Sequence, residues 1–199
     1  MEEASVSEPQ NGTVAGFPRD LDAAIVKRAS HGDHDAFREI VGHHEARLRV
    51  LAFHLLQDAH LMNDAVQDTF IKAYVALPGF RGDAALGTWL HRICYRVCLD
   101  YLRSGQSRPG EADICDDLAD PVDVATRLAL EDEVAVALGT LSVDHRAVLL
   151  LVDREGYDYG SVAEALEVPV GTVASRLSTA RQAMRRALRP EVDRERSAR

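Results

Sequence analysis

Apolar residues recur every three or four positions through most of this chain and nowhere alternate with polar ones over a useful length. That period predicts helices and excludes a substantial sheet, so the expected fold is all-α. Leu21, Ala24, Ile25 and Ala29 suit a short helix stopping at Gly32, a residue type common just past a helix end. Asp33 can then cap a longer helix in which Phe37, Ile40, Val41, His44, Leu48, Leu51, Ala52 and Leu55 form one core-facing stripe. Arg38, His43, Arg47 and Arg49 fall on its other side. A third helix is expected from Leu61 to Leu77, ending before Pro78-Gly79, with Ala65, Val66, Thr69, Phe70, Ala73 and Leu77 inward. A fourth is expected from Ala84 to Arg103, with Leu86, Leu90, Ile93 and Val97 inward.

Periodicity then stops. Residues 104–123, beginning SGQSRPGEADICDDLAD, hold Pro, Gly, Ser and acidic side chains and read as a flexible acidic linker. It divides the chain into a helical domain over 20–103 and a second over 124–189, with a polar, disordered tail at 1–19 and a charged one at 190–199. In the second domain Leu130, Val134, Leu138 and Leu141 resume the pattern, and Ser142 can cap a segment containing Val148 to Val152. Between Asp158 and Arg189 a short stretch with Val162, Ala163 and Leu166 meets a Val-Pro-Val-Gly turn around Pro169 and Gly171. A longer stretch follows, with Val173, Leu177, Ala180 and Met184 on one face. Two helices across a tight glycine-containing turn are the layout of a helix-turn-helix, whose second helix enters the DNA major groove.

Composition changes this picture little: 46% hydrophobic and 28% charged residues are ordinary for a globular protein. No run approaches the length of a membrane span, and the start is acidic rather than leader-like, so no membrane insertion and a cytoplasmic location are expected. Cys94, Cys98 and Cys115 are too few and too unevenly placed for a disulfide scaffold. Charge changes the picture more. The net charge is −9, yet two arginines against nine acidic residues make 104–133 alone −7, whereas eight against five make 161–199 +3. A basic face can therefore exist locally on an acidic chain.

Three faces carry candidate chemistry. Thr172, Ser175, Arg176, Thr179 and Arg181 lie opposite the apolar stripe of the last helix. They are small or cationic groups able to approach a base edge or a phosphate, or the solvated face of a plain helical hairpin. Trp89, Arg92, Arg96 and Arg103 share a stripe on the fourth helix, an aromatic among arginines. Such a surface can stack an unpaired base and hold its phosphates, or be a buried Trp with arginines snorkelling around it. Asp64, Gln67, Asp68 and Ile71 form an acidic ridge with one apolar residue on the third helix, suited to a basic partner or to solvent. His91, Cys94 and Cys98 lie within two turns, but lack the spacing of structural zinc sites and read as core-packing residues, and His43-His44 as one surface and one core residue. No nucleophile–base pair and no Gly-rich phosphate loop appears, so neither an enzyme nor a cofactor is expected.

Four stretches together resemble one family, the bacterial RNA polymerase sigma factors of the extracytoplasmic function (ECF) type. DHDAF from Asp33 resembles the opening of its first domain, and DAVQDTFIKAY from Asp64 its polymerase-docking segment. FRGDAALGTWLHRI from Phe80 resembles its promoter-melting segment, and VPVGTVASRL from Val168 its helix-turn-helix. The resemblance implies sigma domains two and four on either side of the linker. It further implies that Asp64, Gln67, Asp68 and Ile71 contact the β′ clamp helices of core polymerase, with domain four on the β flap. Arg81, Thr88, Trp89, Arg92 and Arg96 would meet the −10 element, and Thr172, Ser175, Arg176, Thr179 and Arg181 the −35 element of promoter DNA. An anti-sigma factor would hold the protein inactive. Two positions depart from the family: Arg96 stands where an Asn is usual, and Ala174 where many members carry Lys or Arg. A stand-alone helix-turn-helix regulator is the alternative, which leaves the Asp64–Asp68 ridge and the Trp89 stripe without roles.

Overall fold

The computed structural model describes residues 19–105 and 133–188. Every regular element among them is helical. The first is α1, Arg19–Ser30, which ends at Gly32 with φ +90°. Asp33 caps α2, His34–Leu56, by accepting hydrogen bonds from the amides of Asp35 and Ala36. Asp58 does the same for α3, Ala59–Ala76, accepting from the Leu61 amide, so α3 starts two residues before the apolar pattern does. A 3-10 turn at Leu77–Gly79 breaks the chain where Pro78 forbids continuation. The next helix, α4, is Leu86–Arg103; it begins two residues later than the pattern suggests.

In the C-terminal part, α5 comprises residues 133–139. Leu130, most of the predicted linker, residues 1–18 of the predicted N-terminal tail and the predicted C-terminal tail lie outside the described residues, while Arg19, assigned to that tail, begins α1. Ser142 caps α6, Val143–Leu149, through the His145 amide, and α6 runs into a wide π turn at Leu150–Arg154. Asp158 caps α7, Tyr159–Leu166, and α8 spans Val170–Ala187. The helix-turn-helix is thus present, with a different turn. Gly171 lies inside the first turn of α8, and the left-handed residue that ends α7 is Glu167, φ +56°.

Most positions of the predicted stripes are buried; Phe37, Val41, Ile93 and Met184 are half-buried, and Ala24 and Val134 are exposed. Ile40, His44, Leu48, Leu51, Ala52 and Leu55 of α2 pack with Ala65, Val66, Phe70 and Ala73 of α3 and with Leu86, Leu90 and Val97 of α4. In the C-terminal part, Val162, Ala163 and Leu166 meet Val173, Leu177 and Ala180, with Val148 and Leu151 beneath. The two groups join: α7 packs on α4 and α6 on α2, and buried residues from both parts form one cluster. A large apolar side chain taken out of water stabilises by about 1.5–3 kcal/mol, whereas an exposed ion pair contributes about 0–1 kcal/mol. Apolar burial therefore holds the two parts together, and polar contacts at the seam decide which surfaces face each other.

Candidate nucleic-acid interface

The α3 ridge faces outward as its spacing implies. Asp64, Gln67 and Ile71 are exposed, and Asp68 is half-buried because the Tyr101 hydroxyl of α4 donates to its carboxylate at 3.0 Å. Ile71 is not an isolated apolar residue. With Val75, 74% exposed, and Tyr74 it forms an apolar strip along the acidic ridge. The positions 71, 74 and 75 carry that signal in their helical spacing. Tyr74 is steadied by its edge-on contact with Phe37, ring centroids 4.9 Å apart.

The α4 stripe points toward the seam. Trp89 is half-buried and leans on Phe80, ring centroids 5.0 Å apart. Thr88 is 3% exposed, so it reaches nothing outside the molecule in this arrangement. Arg81 is exposed on the preceding loop. Arg92 and Arg96, one helical turn apart, both donate to the carboxylate of Glu167 at the end of α7. Arg92 Nε lies 3.1 Å from Oε1, and Arg96 Nε lies 3.0 Å from Oε2. Hydrogen bonds from Arg96 and then Arg92 hold the Glu167 carboxyl down at about 2. The clasp is therefore ionised at any ordinary pH.

On α8 the predicted residues divide. Ser175 and Thr179 are exposed, each donating its hydroxyl to a backbone carbonyl one turn back, and Thr172 is half-buried. Arg176 pairs with Asp144 of α6 at 2.6 Å, and Arg181 donates to Asp153 of the π turn at 3.0 Å. These two arginines anchor α8 to its own neighbours. Ala174, Ser178, Gln182, Arg185 and Arg186 complete the exposed face. Ser178 and Gln182, at helical spacing from Ser175 and Thr179, belong to that face although residue type did not single them out.

Further contacts tie the two parts. Tyr95 of α4 donates to Asp144 at 2.8 Å, and burial raises its hydroxyl pKa well above the usual range. Arg47 pairs with Glu155 at 3.5 Å, where burial pushes the Glu155 carboxyl up. Tyr157 places its ring edge-on to His91, and its hydroxyl lies 3.3 Å from His91 Nδ1. His91 is fully buried, with Nδ1 2.7 Å from the Gly87 carbonyl. Burial depresses His44, His54 and His91, each to about 4. Arg146 of α6 is 4% exposed and donates to the carbonyls of His54, Gly139 and Leu141. Cys94 and Cys98 are buried in the core, and no group of three His, Cys, Asp or Glu suited to a metal occurs among the described residues. No helix among them is long and apolar enough to cross a membrane.

Residues 40–108 match the family model for Sigma-70 region 2, and residues 131–184 that for Sigma-70, region 4. The chain is 33% identical over 185 residues to the RNA polymerase sigma-H factor of Pseudomonas aeruginosa, covering 86% of this chain and 96% of that one. It is 36% identical over 170 residues to the ECF RNA polymerase sigma factor SigM of Mycobacterium tuberculosis, covering 84% of each. Among solved structures, CnrH in complex with the cytosolic domain of CnrY is similar at a TM-score of 0.69 and 28% identity, over 86% of this chain and 99% of that one. The sigma factor RpoE in complex with the anti-sigma factor NepR from Bartonella quintana shares the fold, with a TM-score of 0.65 and 24% identity over 78% of this chain and 98% of that one.

Proposed function

Because the chain belongs to the ECF sigma factors of bacterial RNA polymerase, we propose that it grips core polymerase by the outer face of α3 and presents α4 and α8 to two separated promoter elements. It is an alternative sigma factor: it directs the polymerase to its promoters and helps melt them. The reading rests above all on one observation. A sigma region 2 with an exposed acidic and apolar α3 and a sigma region 4 with a helix-turn-helix occur in order on one chain, which spans 96% of the sigma-H relative.

Each face has a task fitted to its chemistry. Asp64, Gln67 and Asp68 offer charge and hydrogen bonds to the β′ clamp helices, and Ile71, with Val75, offers apolar area at the centre of the contact. Region 4 docks on the β flap. Ser175, Thr179 and the exposed part of α8 meet the −35 element in the major groove, with Thr172 at the start of the helix and Arg176 and Arg181 setting its angle. Arg81, Trp89, Arg92 and Arg96 hold the −10 strand. A base leaves its stack at a cost of a few kcal/mol, and stacking on an aromatic surface returns about 1–3 kcal/mol per base. Strand separation follows from tighter binding of melted than of duplex DNA and needs no covalent step and no cofactor. Thr88, buried here, meets the −10 strand only once the packing around it opens. The sigma factor RpoE of the solved complex is bound by an anti-sigma factor, and this chain is proposed to be held by one too, in the cytoplasm. The test is run-off transcription with core polymerase. Promoter-specific transcripts that appear only with both components support the function; an unchanged transcript pattern contradicts it.

A further inference from the structure

Two non-glycine residues among those described have positive φ, and both lie where the two parts of the protein meet. One is Gln57, ending α2, and the other is Glu167, ending α7. Helices that end in the left-handed region usually do so on glycine, which carries no steric penalty there. A glutamate at that place is strained backbone, and strain of this kind persists where the side chain has a use. The Glu167 side chain has one visible occupation: its two carboxylate oxygens bridge Arg92 and Arg96 on the neighbouring α4. A carboxylate spanning two guanidinium forks presents a pair of anionic oxygens, as a phosphate diester does with its two non-bridging oxygens. Nothing in the folding of α7 itself requires an acid at this position, because its N-terminal cap is Asp158 and its last turn closes through the Glu167 amide.

We infer that Glu167 is a built-in competitor for promoter DNA, occupying Arg92 and Arg96 in the free protein and releasing them when region 4 leaves region 2 on polymerase. This rests on the reading of α4 as the −10 surface. The clasp occupies two arginines of that surface, so the isolated protein binds single-stranded DNA more weakly than it would without Glu167. Two ordered parts make the device: Glu167 supplies the anion, and Tyr95 with Asp144 holds region 4 in register beside it. Because Asp144 also pairs with Arg176 on α8, the tie at the seam and the anchoring of the recognition helix share one carboxylate.

The test uses the full-length chain without polymerase, a short fluorescent single-stranded deoxyoligonucleotide, and the variant Glu167→Gln. Exposed ion pairs are modest, so removing both is expected to tighten strand binding about fivefold at low salt. The difference should shrink as salt screens both competitors. The clasp itself is read by NMR of the Arg92 and Arg96 Nε–H groups, assigned with Arg92→Lys and Arg96→Lys. Both should shift in Glu167→Gln. Tyr95→Phe, which leaves Glu167 in place, should move strand binding in the same direction, by less. Within the holoenzyme, Glu167→Gln should bind promoter as the parent does. Shifted Nε–H signals with unchanged strand affinity overturn the competition, and unshifted signals overturn the clasp. A holoenzyme that melts its promoter while both free proteins bind the strand equally overturns this inference and leaves the sigma function standing. A holoenzyme that melts nothing removes the reading on which it rests.

Discussion

Arg146 offers the sharpest test of how the two sigma regions are held. Its guanidinium is buried, and it donates to the carbonyl of His54 in the last turn of α2, to that of Gly139 at the end of α5 and to that of Leu141 just beyond it. The final carbonyls of a helix have no intrahelical partner, and a cation there also meets the negative end of the helix dipole. Arg146→Met keeps much of the side-chain length and removes all these donors. A hydrogen bond to a charged group contributes roughly 1.5–3 kcal/mol net, so three of them set an upper bound near 9 kcal/mol. Desolvation opposes this: burial lowers the Arg146 pKa, and its Nε has no hydrogen-bond partner. A methionine also recovers apolar contact. The net expectation is a loss of about 2–4 kcal/mol, in the range for removing one member of a buried charged cluster. With a urea dependence of about 1–3 kcal/mol per molar, the midpoint followed by circular dichroism should fall by about 0.7 M or more. Arg146→Lys should recover less than half, because an ammonium cannot present the guanidinium fork to carbonyls in different directions. A midpoint within about 0.2 M of the parent for Arg146→Met would show that water satisfies those carbonyls equally well, and the assignment of Arg146 as the rivet would be refuted.

Acid should weaken the fold through its buried histidines. His44, His54 and His91 are depressed from 6.5 to about 4 by burial, so the unfolded chain binds more protons between those values. Their contribution is complete above pH 6.5 and is lost as pH falls toward 4, on the order of 3 kcal/mol for a fully buried imidazole; urea midpoints that stay flat from neutral pH to about 4.5 would contradict this. Gly87→Ala should destabilise by about 1–3 kcal/mol, since a Cβ there would sit 2.7 Å from the Tyr157 hydroxyl. Combining it with Tyr157→Phe should restore part of that loss, and a strictly additive pair in thermal melts would count against the clash. Ile71→Asp should weaken association with core polymerase about tenfold or more, with no change in melting temperature because Ile71 is 54% exposed; unchanged association, measured by fluorescence anisotropy, would place the docking face elsewhere.

Local chemistry made most helices legible. Caps at Asp33 and Ser142, the glycine stop at Gly32 and the three-to-four spacing of core residues are written in short windows of sequence, and they hold. The helix-turn-helix turn was legible in place but not in mechanism. Gly171 looked like the residue that bends the chain, whereas the left-handed position is Glu167, whose use depends on arginines 71 and 75 residues away. The candidate site divides in the same way. Exposed positions such as Asp64, Gln67, Ser175 and Thr179 follow from helical phase alone. Arg176 and Arg181 have that phase too, but Asp144 and Asp153 occupy them, and no pattern within α8 announces a carboxylate on a different element. The burial of Thr88 is likewise not written in its neighbours in sequence, because it depends on the packing around α4. Arg146 stands just before an apolar run, and its three carbonyl acceptors come from two other segments.

Permanganate probing of unpaired thymines bears most directly on the claim that this chain makes polymerase open a promoter. With the chain and core polymerase together, thymines just upstream of the mapped start should become reactive, and neither component alone should expose them. Replacing Trp89 by Ala should abolish the signal while polymerase association persists. Thymines that stay protected with both components present, or that react equally with core polymerase alone, would contradict the account.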